Sequence, residues 1–193
     1  MRRRAFLYAL LAAALAGCGR DRPQFAGMDV TGADWGRDFA LQDPDGKLRR
    51  LADFRGKVVM LFFGFTHCPD VCPTALTRAK EVKRLLGADG GRLQVIFVTV
   101  DPERDTAALM REYTAAFDSS FLGLRADADA TKRVASEFKV FYEKVPSGSS
   151  YTVNHSAFTY VFDAQGRLRL LLRHEQAAEQ YAADIRTLMK QSS

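Results

Sequence analysis

The sequence predicts an α/β fold in which a central mixed sheet is flanked by helices, with a hairpin at its N-terminal end. Three observations predict it. Residues 58–63 and 93–100 are almost continuously apolar, as strands buried on both faces of a sheet must be. Each is followed by a stretch whose apolar residues recur with a period near 3.6, the mark of a helix with one buried face. The C-terminal third carries two short apolar runs around a Gly turn and then a last amphipathic segment. With 193 residues, 47% hydrophobic and 26% charged, the chain supports one well-packed domain, expected over residues 35–193.

Taken in order, residues 35–41 read as a first strand, and Pro44-Asp45-Gly46 as the turn into a second at 48–51. Residues 52–57 connect it to the buried strand 58–63. From Pro73 the pattern becomes helical. Ala75, Ala79, Val82 and Leu86 share one face, Arg78, Lys80, Lys83 and Arg84 point elsewhere, and Gly87 with Gly90-Gly91 stops the run. The second buried strand ends at Asp101-Pro102-Glu103, ahead of a helix expected over 106–117. A short strand near 121–124, a helix over 128–138 and a strand near 140–143 follow. Pro146-Ser147-Gly148-Ser149-Ser150 has the composition of a flexible loop. Residues 156–163 and 167–173 flank Ala164-Gln165-Gly166 as a second hairpin. Ala178, Tyr181, Ile185 and Leu188 then line one face of a final helix over 177–189. No internal repeat or low-complexity segment interrupts this order, which is that of a thioredoxin-like sandwich.

The first residues stand apart from that domain. Arg2, Arg3 and Arg4 precede an apolar run, 5–17, too short to cross a bilayer as a helix, so residues 1–17 read as a secretory signal peptide. Leu15-Ala16-Gly17-Cys18 is similar to a bacterial lipobox. The similarity implies cleavage before Cys18 and lipid on its sulfur and amine, which would anchor the mature chain to a membrane of the bacterial cell envelope, facing the periplasm. Residues 18–34, with Gly19, Pro23, Gly27 and Gly32 among polar residues, suit a flexible tether. Loss of the three arginines takes the formal net charge from +5 to about +2. No basic run interleaved with aromatics remains, which argues against a nucleic-acid partner.

Three cysteines, one of them lipidated, leave Cys68 and Cys72 as a single pair in a compartment that permits disulfides. A bond between them closes too small a loop to staple the fold, so function is the better explanation for both. They lie in Gly64-Phe65-Thr66-His67-Cys68-Pro69-Asp70-Val71-Cys72-Pro73-Thr74, where a buried strand turns into a helix. If the helix starts at or near Cys68, positions i and i+4 bring both sulfurs to one face, and the helix N-terminus favours thiolates. Thiolates serve either disulfide exchange or the binding of a soft metal ion. The spacing is one residue longer than the C-x-x-C of thioredoxin-type exchange enzymes. Two thiolates and one imidazole would suit copper, Cu(I) above all. The pair alone does not decide between the two.

Three histidines are available. His67 adjoins Cys68 and would diverge from it, as neighbours on one element do. His174, between Arg173 and Glu175, reads as a solvated loop residue. His155 lies between the 146–150 loop and an apolar strand, where a structural role and metal ligation are both open. Asp101, Glu103 and Asp105 could be taken for a hard-cation site, but without a supporting His or further carboxylates they read as a structural loop with helix capping. Asp70 reads as a turn residue or an outer neighbour of the thiols and is not counted as a ligand.

Gly64 to Pro73, then Val100-Asp101-Pro102-Glu103-Arg104-Asp105-Thr106, then Val153-Asn154-His155-Ser156 with Tyr160 and Asp163, resemble in order the Sco/SenC family of copper-handling proteins. The resemblance runs from about Trp35 to the C-terminus. It implies a thioredoxin-like, membrane-attached domain that binds one copper ion, Cu(I) or Cu(II), through Cys68, Cys72 and His155. It also implies a role in assembling the dinuclear copper centre of cytochrome c oxidase subunit II, by delivering copper, by reducing that subunit's cysteines, or both. Other periplasmic copper chaperones and thiol reductants would be further partners. One position departs from the pattern: many members have Asp before the ligand histidine, and this chain has Asn154, which could alter copper affinity without removing a ligand.

The alternative is a metal-free thiol-disulfide oxidoreductase, with Cys68 and Cys72 as the attacking and resolving thiols. Such enzymes generally place a cis-proline opposite the pair, and no proline occurs from Ser147 onwards. A peroxidase or redox sensor with a reactive Cys68 is a third reading.

Overall fold

The computed structural model describes residues 23–191; the expected signal peptide and Cys18 lie outside them. In chain order, β1 (Met28–Asp29) is followed by a hairpin of β2 (Ala40–Gln42) and β3 (Leu48–Arg50). Then come β4 (Val58–Gly64), α1 (Val71–Leu86), β5 (Leu93–Thr99), α2 (Ala107–Ala115), β6 (Leu122–Leu124) and α3 (Ala128–Glu137). The last third holds β7 (Tyr142–Ser147), β8 (Ser150–His155), β9 (Thr159–Phe162), β10 (Leu168–Leu172) and α4 (Ala178–Gln191). Six strands form one mixed sheet in the order β1-β10-β9-β4-β5-β6. The expected α/β fold, a central mixed sheet flanked by helices, is present.

β4 is central because its sequence can be nothing else: all seven of its residues are buried, and it pairs with β5 in parallel and with β9 antiparallel. Leu61, Phe63, Ile96 and Phe97 are fully buried here, and each such side chain stabilises the fold by about 1.5–3 kcal/mol. Parallel neighbours need crossovers. α1 makes the one from β4 to β5, burying the stripe Cys72, Ala75, Leu76, Ala79, Val82 and Leu86, and it packs against α4. α2 makes the one from β5 to β6. Thr106 caps it by accepting the Leu109 N–H at 3.2 Å.

Three expectations change. Of the strand expected over 35–41 only Ala40 and Leu41 are in a strand, the start of β2, because the chain turns at Gly36, whose φ is +62° and whose N–H donates to the Glu137 carbonyl. The expected flexible loop at 146–150 is the tip of a paired hairpin. Ser147 stands opposite Ser150, and Gly148, at φ +58°, makes the two-residue turn. Part of the tether expected over 18–34 lies on the fold: the N–H groups of Ala26 and Gly27 donate to the Asp184 carboxylate, and Met28 and Asp29 pair with β10. Among the described residues no helix is long and apolar enough to cross a membrane.

The topology converges on one end of the sheet. β4 and β5 finish side by side at Gly64 and Thr99, and β9 starts there, with Thr159 opposite Phe62. The start of α1, the loop after β5 and the segment from His155 to β9 therefore meet at that end.

Candidate metal centre

Cys68 and Cys72 do not meet as two positions on one helix face. α1 begins only at Val71, with Asp70 as its cap residue, so Cys68 precedes the helix. Its Sγ accepts the Cys72 N–H at 3.4 Å and so supplies an acceptor to a first helical turn that has none of its own. The Asp70 carboxylate instead accepts the Thr74 hydroxyl at 3.4 Å. Gly64 makes the close approach of helix to strand possible: a Cβ there would stand 2.7 Å from Cys72 Sγ and 2.7 Å from Phe97 Cε2.

His155 ends β8 with its Nε2 3.5 Å from Cys72 Sγ. Its Nδ1 lies 3.0 Å from the Ser156 carbonyl oxygen. A carbonyl can only accept, so the ring proton sits on Nδ1 and Nε2 turns its lone pair to the sulfurs, the tautomer a metal ligand requires. The rings of Phe62 and Phe65 stand edge-on to the imidazole, each at 5.9 Å. One ligand atom from each of Cys68, Cys72 and His155 lies within 4.8 Å of the other two; among the described residues this is the one group of three or more metal-ligating side chains.

Both cysteines are free thiols, and their protons are unequal. The hydrogen bond from Cys72 holds the Cys68 thiol far below the ordinary thiol range against the effect of burial, and the N–H groups of Asp70 and Cys72 add to it. Cys72, fully buried, is pushed far upward by its bond to Cys68, by burial and by the Cys68 charge. The pair thus presents one thiolate, one thiol and one imidazole lone pair to a shared space. That donor set fits a soft, low-coordinate ion.

The carboxylates behind the site are structural. Asp105, fully buried, accepts the Thr66 N–H at 3.1 Å and the hydroxyls of Thr66 and Thr99 at 2.5 Å each, which fixes the turn leading to Cys68. Asp101, also fully buried, bonds Arg104 Nε and accepts the Tyr151 hydroxyl at 2.8 Å. Glu103 is at the surface, paired with Lys144 at 2.6 Å. No hard-cation cluster forms among the three, and the helix cap is Thr106 rather than a carboxylate. His67 is half exposed, 3.1 Å from the Thr66 hydroxyl, and stays outside the thiol cluster. His174 is less solvated than its sequence neighbours imply: it is partly buried, 3.4 Å from Arg78 Nη1, and burial followed by the Arg78 charge lowers its pKa. Asn154 is exposed and pairs across the hairpin with Glu143, so the departure from Asp at this position leaves the bond from His155 to Ser156 untouched.

Sequence reasoning missed Gly64, Ser156, Arg104 and Tyr151 as parts of this site. Only Gly64 left a signal, as a glycine closing an otherwise apolar strand directly before the cysteine motif.

Comparisons with known proteins identify the family. The mitochondrial SCO2 homolog of Bos taurus is 40% identical over 156 residues, which are 79% of this chain and 59% of that protein. The chain thus spans about three fifths of the length of the curated relative. The structure of Bradyrhizobium japonicum ScoI with copper bound is 39% identical, with a TM-score of 0.73 over 81% of this chain and 99% of that one. The apo Sco1 protein of Thermus thermophilus is 42% identical, with a TM-score of 0.77 over 87% of this chain and 99% of that one. The family model described as SCO1/SenC matches residues 28–190, and on these grounds the chain belongs to the SCO1/SenC family.

Proposed function

We propose that this chain is a copper metallochaperone: it binds one copper ion through Cys68, Cys72 and His155 and delivers it to the dinuclear copper centre of cytochrome c oxidase subunit II. The single observation that carries the reading is the convergence of two sulfurs and one imidazole nitrogen within 4.8 Å. The copper held by the Bradyrhizobium japonicum relative supports the identity of the ion. Here copper is cargo. The residues' task is to hold it through soft donors and release it to a partner that offers better ones. Lipid on Cys18 would keep the domain at the membrane on the periplasmic side, where copper chaperones that load it and reductants that keep its thiols free would be further partners.

A second reading has its own observation. The low-pKa Cys68 and the buried, protonated Cys72 have the division of labour of attacking and resolving thiols, so the pair is also suited to reducing the cysteines of the oxidase copper site.

Copper titration of the chain from Phe25 onwards separates the two. His155→Ala is expected to weaken Cu(II) binding by more than about a hundredfold, beyond the loss caused by removing a mere hydrogen-bond partner of a ligand. Unchanged affinity and an unchanged charge-transfer spectrum in that variant would rule out the three-ligand site. Rapid metal-free exchange with a peptide bearing two oxidised cysteines would favour the reductase instead.

A further inference from the structure

The hairpin that carries His155 stands outside the six-stranded sheet as a separate pair of strands. A two-stranded hairpin is at best marginally stable alone. Within β7 and β8 only Val153 is buried, with Tyr142 and Tyr151 packed at the edge of the core, so apolar packing places the hairpin only in part. Alternation puts Tyr151, Val153 and His155 on one face of β8, turned toward the body of the protein.

What holds that face is a set of contacts to the loop after β5. The Tyr151 carbonyl accepts Arg104 Nη1 at 2.8 Å, and the guanidinium lies over the Tyr151 ring at 3.7 Å. The Tyr151 hydroxyl donates to Asp101 Oδ1 at 2.8 Å, and the same buried carboxylate bonds Arg104 Nε. Arg104 also lies 5.9 Å over the Phe65 ring, which flanks the His155 imidazole. Its Nη2 is buried without a hydrogen-bond partner, a destabilising feature. The guanidinium is therefore placed by its stack on Tyr151 and its two directed bonds, not by full satisfaction of its own donors.

We propose that Arg104 and Tyr151 are positioning residues: they clamp the His155 hairpin against the cysteine pair, so that the clamp, and not the ligands alone, sets how long Cu(II) is retained. This rests on the copper reading of the site. Cu(I) also takes the imidazole, but two soft thiolates alone still hold it in low coordination, whereas Cu(II) loses far more when the imidazole is withdrawn. Loosening the hairpin withdraws only the imidazole, so the clamp acts on one oxidation state far more than on the other.

The test compares the parent with Tyr151→Phe, which keeps the ring and loses the Asp101 bond, and with Arg104→Lys, which keeps the charge and loses the planar fork. In metal-free protein, backbone hydrogen exchange is expected to rise about tenfold across residues 142–155 and to stay constant in β4 and β5. With metal, Cu(II) is expected to dissociate about tenfold faster, while Cu(I) affinity measured by chelator competition stays within about twofold. Unchanged exchange in the hairpin overturns the clamp whatever copper does. Exchange raised throughout the domain, with equal loss of Cu(I) and Cu(II), also overturns it, because that is general destabilisation. A parent chain that binds no copper overturns the retention claim together with the functional reading, and the exchange result then still decides whether the clamp exists.

Discussion

At Gly64 an absent side chain does as much for the site as the present ones. Gly64→Ala would drive a Cβ into Cys72 Sγ and the Phe97 ring, both at 2.7 Å and both in the packed core. Such overpacking is expected to destabilise the domain by about 1–3 kcal/mol, read as a lower urea midpoint, and to change the copper spectrum because Cys72 must move. The two thiols themselves differ enough to be told apart by chemistry. Since the Cys68 pKa lies far below that of an ordinary thiol, its alkylation by iodoacetamide is expected to stay nearly constant from pH 8 to pH 6. An ordinary thiol slows about tenfold per pH unit over that range, and Cys72 is expected to remain unmodified. Peptide mapping after a short pulse checks both; first modification at Cys72 would invert the assignment. Cys68 and Cys72 stood out in the sequence because few residue types carry soft donors, whereas His155 joined them there only through the resemblance to the Sco/SenC family. Arg104, Tyr151 and Ser156 did not stand out, since each matters only through a neighbour that folding brings to it: Tyr151 and Asp101 touch across fifty positions of chain.

The elements divide along the same line. β4, β5, α1 and α4 were readable because burial on both faces or on one helical face writes a local pattern. β7 and β8 were read as a strand stub and a loop because β7 is largely exposed, the covered face of β8 carries a single fully buried residue, Val153, and their turn residues dominate the composition. α1 is also fixed at its far end. Lys83 Nζ reaches Asp118 at 2.8 Å and Ser120 Oγ at 2.6 Å, tying the helix to the segment between α2 and β6. Burial raises the Asp118 carboxyl, but the bonds from Lys83 and from the Ser120 hydroxyl and N–H outweigh it and bring the pKa down to about 2. A carboxylate lowered on folding stabilises fully above its unfolded pKa of about 4, and that stabilisation is lost as the pH falls through about 2. Asp118→Asn is therefore expected to remove about 1 kcal/mol at pH 7, allowing for solvent screening, and the gap to the parent should close between pH 4 and pH 2. Urea melts at three pH values check it, and a gap that is the same at all three would show the pair to be inert.

Across the whole molecule, the first described segment is tied to the last two elements, β10 and α4. β1 covers the edge of β10, and Asp184 in α4, only 4% exposed, accepts the Ala26 N–H at 3.0 Å and the Gly27 N–H at 2.8 Å. Gln176 donates to the Ala26 carbonyl at 2.9 Å, and the Val30 N–H to the Arg169 carbonyl at 2.9 Å. A two-residue strand whose partner is some 140 positions away has no local signature, which is why residues 26–34 read as tether. The domain limit can be tested by comparing a chain that begins at Phe25 with one that begins at Trp35. The shorter chain leaves a buried carboxylate without its backbone donors and opens the β10 edge to other chains. It is expected to lose about 2–4 kcal/mol in urea unfolding and to elute partly as higher oligomers. Its copper affinity should stay within about twofold of the longer chain where both are folded, because β10 and β9 separate β1 from β4 and the cysteines. Equal urea midpoints for the two would return residues 26–34 to the tether.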